Sequence, residues 1–171
     1  MDLQALEFRP ATADDAPQLA RLVQDAFSTY TAFAPEGWSP TPLEDEVVYA
    51  QHTLAQPSAW CEVAEDGSGL AGHCGWLAAF EAQVVSDERG LVHFWQLFVR
   101  PDWWGSGLAA RLQATAIDAA REQGYSAMRL FTPAGHERGR RFYEREGWSL
   151  SREPYEDEAF GMPLVEYRRV L

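Results

Sequence analysis

The residues best placed to do chemistry lie around a Gly105-Ser106-Gly107 sequence between two apolar segments. Residues 94–99 form an apolar run that ends at Arg100-Pro101, and residues 108–121 have the apolar spacing of a helix. A strand, a glycine loop and a helix in this order point backbone N–H groups and a positive helix end at one spot. Because glycine has no Cβ, the backbone at 105 and 107 can approach a phosphate closely. The pattern predicts an anion site, typically for phosphate.

Three known kinds of phosphate-binding loop can be compared with this strand, glycine loop and helix. A P-loop needs a Gly-Lys-Ser/Thr sequence, and this chain contains no lysine. A dinucleotide-binding fingerprint could use Ala110 as its third small residue, but residues 128–130 (Met-Arg-Leu) stand where an acidic residue is required. The third alternative is a loop for the pyrophosphate of coenzyme A, and it needs support from the rest of the chain.

That support comes from the segment that follows the glycine loop. Residues 127–131 predict a buried strand, and residues 136–146 predict a helix that ends at Gly147. Between Phe94 and Trp148 the sequence resembles the GNAT acetyltransferase superfamily. The family's Gln/Arg-x-x-Gly-x-Gly/Ala loop corresponds to residues 104–109, and its Asn-x-x-Ala-x-x-x-Tyr motif corresponds to His136, Gly139 and Tyr143.

The resemblance implies that acetyl-CoA is the cosubstrate. It places the pantetheine arm along the backbone of one strand and the pyrophosphate on the loop. The residues expected to bind the coenzyme are therefore Leu97, Phe98, Val99, Trp104, Gly105, Ser106, Gly107, Leu108, Ala109, His136 and Arg140. Three positions depart from the family pattern. Trp104 replaces the usual Gln or Arg, so backbone N–H groups must carry more of the binding, while His136 replaces Asn and Gly139 replaces Ala.

The resemblance also implies two catalytic residues. Tyr143 corresponds to the family's tyrosine near the coenzyme sulfur, where a phenol can give a proton to the departing thiolate; simple packing is the alternative for this side chain. His93 stands six residues before Val99, where some members of the family carry a general base, and its strand parity predicts that it faces the same way as Leu97 and Val99. A hydrogen-bonded, purely structural histidine in a hairpin strand is the alternative for His93. Glu62 and Glu81 are weaker candidates for the base, and many members of the family use only ordered water.

The order of elements predicts an α/β fold in a single domain over residues 1–171, with residues 94–148 carrying the specific motifs. A GNAT-like domain implies a mixed, mostly antiparallel sheet of about seven strands flanked by about four helices. Hydrophobic periodicity predicts helices near residues 19–27 and 43–54 and a hairpin from 60–64 and 70–80. Closing strands are expected at 148–151 and 164–170, and loops at 30–42 and 153–161.

Charge is distributed unevenly between the two halves of the chain. Residues 1–90 hold three Arg and fifteen acidic residues, so they carry the whole formal charge of −12, whereas residues 91–171 are balanced. The acidic half either promotes solubility or attracts a cationic amine substrate. Nucleic acid is not an expected partner, because its binding requires a positive face. A second copy of this chain is kept as a candidate partner.

Cysteine content and hydropathy narrow the class of protein further. Cys61 and Cys74 lie outside the matched motifs, which disfavours a covalent cysteine intermediate, and no ligand pattern accompanies them, so no metal is predicted. No apolar run has membrane-helix length and the first residues lack a secretory signal, so a cytoplasmic location without membrane attachment is expected.

The predicted function is an acetyl-CoA-dependent N-acetyltransferase that moves the acetyl group to a primary amine of a small molecule or peptide by direct attack in a ternary complex. Two alternatives stay open, a non-catalytic acyl-CoA sensor and a transferase for another acyl-CoA. The acceptor site is expected between residues 27–43, the turn after Phe80 and residues 153–161. Its candidate walls are Tyr30, Phe33, Trp38, Trp76 and Tyr155.

Overall fold

A computed structural model describes residues 2–171 and contains a seven-stranded mixed sheet with four α-helices. The strands are β1 (Glu7–Pro10), β2 (Trp60–Asp66), β3 (Gly69–Ala78), β4 (Leu91–Val99), β5 (Ala127–Pro133), β6 (Ser149–Asp157) and β7 (Met162–Val170). The helices are α1 (Ala16–Phe27), α2 (Leu43–Leu54), α3 (Leu108–Glu122) and α4 (Glu137–Arg145). This α/β architecture confirms the predicted fold class.

The strands are arranged in the order β1-β2-β3-β4-β5-β7-β6. Every neighbouring pair is antiparallel except β4 and β5, which are parallel and joined through α3. Helix α3 packs on one face of the sheet, where Leu112 and Ala116 meet Trp76 in the main core. Helix α1 lies on the opposite face, where Leu19 and Leu22 pack on residues of β2 and β3. We call these the α3 face and the α1 face of the sheet.

The entry into α1 is built from charged side chains. Asp15 accepts the backbone N–H of Thr12 at 2.7 Å and forms an ion pair with Arg9 at 2.9 Å. The guanidinium and these hydrogen bonds hold the pKa of Asp15 at about 2, so the carboxylate stays charged at neutral pH. Pro17 is tolerated in the first turn of the helix, where no N–H partner is lost.

Several element boundaries differ from those expected. Strand β6 continues to Asp157, so most of the predicted 153–161 loop is the far half of a hairpin with β7. Exposed, charged residues fill that part of β6, and nothing in their pattern predicts a strand because the pairing with β7 imposes it. In the predicted 30–42 loop, a short 3₁₀ helix occupies Ser28–Ala32.

The side chain of His93 points away from its expected face. A bulge at Trp95 shifts the register between β3 and β4, because Trp76 pairs with Phe94 whereas Gly75 pairs with Gln96. The extra residue reverses the alternation, so Phe94 and the later Leu97 and Val99 share the α3 face. His93 pairs with Leu77 on the α1 face. The expectation that His93 faces the same way as Leu97 and Val99 is therefore wrong.

Candidate active site

The two central strands separate after a short stretch of pairing. Strands β4 and β5 pair only at Leu91–His93 with Ala127–Arg129. Beyond His93, β4 continues to Val99 along β3, whereas β5 continues to Pro133 along β7. The sheet therefore opens into a V-shaped gap whose vertex lies at His93 and Arg129. Each arm keeps its outer partner, so only the inner edges of β4 and β5 are left unpaired.

Backbone groups of β4 line this gap. Arg100 donates its backbone N–H to Ala71 at 2.8 Å, on the β3 side. Because successive residues of a strand direct their N–H groups to alternate sides, the N–H groups of Val99 and Leu97 point into the gap. The N–H group of Phe98 points the other way, toward β3, where His73 is its register partner. Of the three predicted backbone contacts, Leu97 and Val99 are thus the ones aimed at an added strand-like ligand.

The glycine loop lies at the open end of the gap. Gly105 and Gly107 have φ of +79° and +90°, which side chains other than glycine rarely adopt. A Cβ added at either glycine would meet no heavy atom within 4 Å. The glycines are therefore required by backbone conformation, and the space above them is open. Gly107 is the N-cap residue of α3, and Leu108 begins the helix, so the helix N-terminus faces that space.

Trp104 occupies the position where the family motif has Gln or Arg. Its indole N–H donates to the carbonyl of Val99 at 2.8 Å, which ties the loop to the end of β4. The guanidinium of Arg138, on α4, stacks on the Trp104 ring 3.8 Å from its centroid. Arg138 therefore brings a positive charge beside the glycine loop from the other arm of the gap, a contact that the sequence alone did not single out.

Tyr143 lies on α4 at the inner side of the gap. Its ring packs on Trp148 and Tyr167 with centroid distances of 5.9 and 6.2 Å, next to the main core. Burial raises the pKa of the Tyr143 phenol, so the hydroxyl keeps its proton at neutral pH. Tyr30 reaches the same region from the α1 face, and its pKa is raised by burial and by the neighbouring Tyr143. A protonated phenol in this position can donate a hydrogen bond or a proton.

His136 precedes α4 and joins an aromatic cluster. Its ring lies 5.0 Å from Tyr30 and 5.3 Å from Phe33, between the two arms. Burial, with a smaller effect of Arg138, lowers the pKa of His136 to about 4, so the ring is neutral at neutral pH. A Cβ at Gly139 would lie 2.6 Å from His136 Nδ1. The two departures from the family motif are therefore complementary, because the glycine makes room for the ring.

Arg140 has partners within the protein. Its guanidinium donates to the Ala134 carbonyl at 3.0 Å and to the Tyr167 hydroxyl at 3.2 Å, and that hydroxyl donates to Glu144 at 2.6 Å. These bonds fix α4 against β7. Arg140 as a coenzyme contact stays a prediction.

His93 lies at the vertex of the gap. Its ring is 5.4 Å from the ring of Phe131, and its Nδ1 is buried without a hydrogen-bond partner among the described residues. Burial, together with the charge of Arg129, lowers the pKa of His93 to about 3. The imidazole is therefore neutral and can accept a proton, although it is a weak base in the free protein.

The structure brings most of the predicted residues to one gap. Leu97, Val99, the 104–109 loop, His136 and Tyr143 border it, and His93 lies at its vertex on the α1 face. Cys61 and Cys74 are buried free thiols, and burial raises both pKa values. Within residues 2–171, no three His, Cys, Asp or Glu side chains come together as a metal site, and no helix has the length and apolarity to cross a membrane.

Comparison with known proteins agrees with this geometry. The sequence profile of the Acetyltransferase (GNAT) family matches residues 19–148. An uncharacterized N-acetyltransferase of Archaeoglobus fulgidus is 28% identical over 142 residues, which is 81% of this chain and 89% of the relative. The chain therefore belongs to the GNAT acetyltransferase family, and an acyl-CoA-dependent acetyltransferase is the general activity that this membership supports.

Two solved structures show the same fold. A Desulfovibrio desulfuricans protein of the GNAT family has a TM-score of 0.73 at 21% identity, covering 97% of this chain and 99% of that one. The yncA protein of Salmonella typhimurium, solved with its cofactor acetyl-CoA, has a TM-score of 0.71 at 17% identity, with 96% and 93% coverage. At these identities the likeness is one of fold.

The contact between the His136 ring and Gly139 predicts that Gly139→Ala changes the free energy of unfolding in opposite directions in two backgrounds. In the wild type, Gly139→Ala is expected to lower the free energy of unfolding, since the new Cβ overlaps the His136 ring. In a His136→Asn background, the same change should raise it by about 1 kcal/mol, the helix preference of Ala over Gly. Urea unfolding of the four proteins measures the coupling. Equal effects of Gly139→Ala in both backgrounds would contradict the contact.

Proposed function

We propose that the protein is an acetyl-CoA-dependent N-acetyltransferase that acetylates a primary amine in a ternary complex. The observation that carries this proposal is the inner edge of β4, which is left unpaired beyond His93 and ends at a glycine loop. An extended arm with amide groups can add to such an edge as a further strand. A phosphate at its end would meet the N-terminus of α3. The acetyl-CoA of the yncA structure supports the same ligand here.

The pyrophosphate and the pantetheine arm of the coenzyme each have chemical partners in the gap. The N–H groups of the 105–108 turn can hold the pyrophosphate, because both glycines leave the space above the loop open. Arg138, held on Trp104, adds a positive charge beside the loop, where the family motif has Gln or Arg at position 104. The N–H groups of Leu97 and Val99 take the pantetheine amides, and one of them polarises the thioester carbonyl.

The transfer then needs three groups. The amine nitrogen attacks the thioester carbonyl carbon, the C–N bond forms and the C–S bond breaks. Tyr143 gives its proton to the departing thiolate, and the amine gives up a proton to His93 through water. No cysteine is needed, since both thiols are buried and their raised pKa values keep them protonated.

Loss of the Tyr143 hydroxyl should affect turnover without affecting binding. Tyr143→Phe is expected to lower kcat roughly 10²–10⁴-fold, the usual share of a general acid. Acetyl-CoA affinity should stay unchanged, because the ring still packs on Trp148. Thiol release with an amine panel and calorimetric titration measure the two quantities. Tyr125→Phe, a change of the same chemistry on Tyr125 beside Trp76 in the core, is the control.

The outcomes of this experiment separate the proposed enzyme from the alternatives. Wild-type binding of acetyl-CoA without turnover across a wide panel would favour a non-catalytic sensor. Faster turnover with propionyl- or succinyl-CoA would assign another acyl donor. Full activity in Tyr143→Phe would contradict the role given to this hydroxyl.

The glycine loop allows a matched test of the coenzyme site. Gly107→Ala and Gly124→Ala each place a Cβ at a positive φ, +90° and +84°, and neither Cβ meets a neighbour within 4 Å. Both should cost similar stability, about 1–2 kcal/mol. Only Gly107→Ala should weaken acetyl-CoA binding in calorimetric titration, because Gly124 lies beyond the other end of α3. Equal affinities of the two variants would place the phosphate elsewhere.

The pH dependence follows from the neutral state of His93. Because burial lowers the pKa of His93 to about 3, its protonation is complete only well below the assay range. The rise of kcat/KM with pH should therefore track deprotonation of the acceptor amine. His93→Gln is expected to lower kcat roughly 100-fold and keep the same apparent pKa. Unchanged kcat in this variant would mean that water alone accepts the proton.

A further inference from the structure

Arg129 is a buried cation that the proposed mechanism does not use. Its side chain is only 4% exposed, although arginine is rarely buried without a carboxylate partner. It lies on β5 as the register partner of His93, at the last pair before the strands separate. The neighbours Met128 and Leu130 belong to the core on the α3 face. By strand alternation Arg129 therefore faces the α1 side, as His93 does.

No carboxylate forms an ion pair with Arg129, although Glu166 and Glu88 lie close enough to act on its charge. Among residues 2–171, no Asp or Glu oxygen lies within 4.0 Å of its guanidinium. Both carboxylates are paired with Arg168 instead, which binds Glu166 at 2.6 Å and Glu88 at 2.7 Å. Burial accordingly lowers the pKa of Arg129. A buried guanidinium that no carboxylate hydrogen-bonds is costly to stability, and an anion bound to it would offset that cost.

The hydrogen-bonding capacity of Arg129 is also incomplete. One terminal nitrogen donates to the carbonyl of Val84, in the turn between β3 and β4. Its Nε is buried and has no partner in the described part of the chain, and the same holds for His93 Nδ1. Two unpartnered nitrogens thus belong to adjacent side chains on one face of the vertex. This face is where an acceptor would meet a thioester held along β4.

We infer that the acceptor carries a carboxylate beside its primary amine, as an α-amino acid does, and that Arg129 binds that carboxylate. The inference rests on the proposed function. Neighbouring strands lie about 4.8 Å apart, so one α-amino acid can place its carboxylate at Arg129 and its amine near His93. The planar guanidinium can bind a carboxylate through two parallel N–H groups, one of them the free Nε–H.

The β3–β4 turn gives this site a way to open. Val84 and Val85 are 44% and 64% exposed, so the turn carries apolar side chains at the surface directly above Arg129. A carboxylate forms stronger, charge-assisted bonds to the guanidinium than the neutral Val84 carbonyl does. The ligand can therefore replace that carbonyl, and the turn then moves aside to admit it.

The first test compares acceptors with and without the carboxylate at equal concentrations of the neutral amine. Thiol release from acetyl-CoA is measured with the proteinogenic amino acids and with the α-amide of each. The expected result is that at least one free acid is acetylated with kcat/KM roughly 100-fold above its amide. Amides that are acetylated as well as the acids would overturn the inference. So would the absence of turnover with any free acid in a protein that acetylates other amines.

The second test assigns the preference to Arg129. Arg129→Gln should remove the preference for the acid, so that kcat/KM for the free acid and for its amide become equal within about threefold in this variant. Arg152→Gln is the matched control, since it removes an exposed guanidinium that stacks on Tyr155. A uniform loss on acids and amides in Arg129→Gln, or an equal effect of Arg152→Gln, would contradict the assignment.

A binding measurement separates this inference from the proposed function. N-acetylated amino acids carry the carboxylate but no reactive amine, and their α-amides serve as reference probes. The acids should raise the Tm of the wild type and leave that of Arg129→Met unchanged. Without ligand, Arg129→Met should be at least as stable as the wild type, because a buried charge is removed. A lower Tm of Arg129→Met, together with equal Tm shifts of the wild type by the acids and by their amides, would show that Arg129 has a structural role only. This result does not depend on the outcome of the acetyl-CoA titrations.

Discussion

The end of pairing between β4 and β5 is the constraint on which the rest of the structure depends. Three register pairs, Leu91–His93 with Ala127–Arg129, hold the sheet together, and beyond them the arms separate. Aromatic side chains on the α3 face of the sheet pack where β4 and β5 separate. Trp148 packs on Phe94 at 5.9 Å and donates its indole N–H to Gln113 at 2.9 Å, so it links α3 to the chain that leaves α4. The gap is thus supported from beneath by buried contacts.

The two faces of the sheet differ in the groups they offer to ligands. The α3 side presents a helix N-terminus, open glycines and the protonated Tyr143, which suit an anionic thioester. The α1 side presents neutral imidazoles and the desolvated Arg129. Burial lowers the pKa of His73 to about 4, of His136 to about 4 and of His93 to about 3, so these rings carry no charge at neutral pH. Arg129 is therefore the buried cation nearest these neutral rings at the vertex, and its charge lowers the pKa of His93.

Local patterns made the fold and the coenzyme loop predictable. These patterns each span only a few residues of the chain, so they can be recognised in the sequence. They are the glycines at 105 and 107, the spacing from that loop to Tyr143 and the helical periodicities. The direction of His93 was not predictable, because the bulge at Trp95 arises from pairing with a distant strand. The same holds for the room that Gly139 leaves for His136. The sequence shows Arg129 only as one polar residue inside an apolar strand. That it lies buried at the point where β4 and β5 separate, without a carboxylate ion pair, becomes visible only in the structure.

We propose that the inner edge of β4 takes the coenzyme as an added strand. Amide hydrogen exchange of Leu97 and Val99, followed by NMR with and without acetyl-CoA, tests it most directly. Acetyl-CoA is expected to slow exchange at these two amides and to change that of Phe98 little, because the Phe98 N–H already points toward β3. Binding of acetyl-CoA without any slowing at Leu97 and Val99 would show that the coenzyme does not pair with this edge.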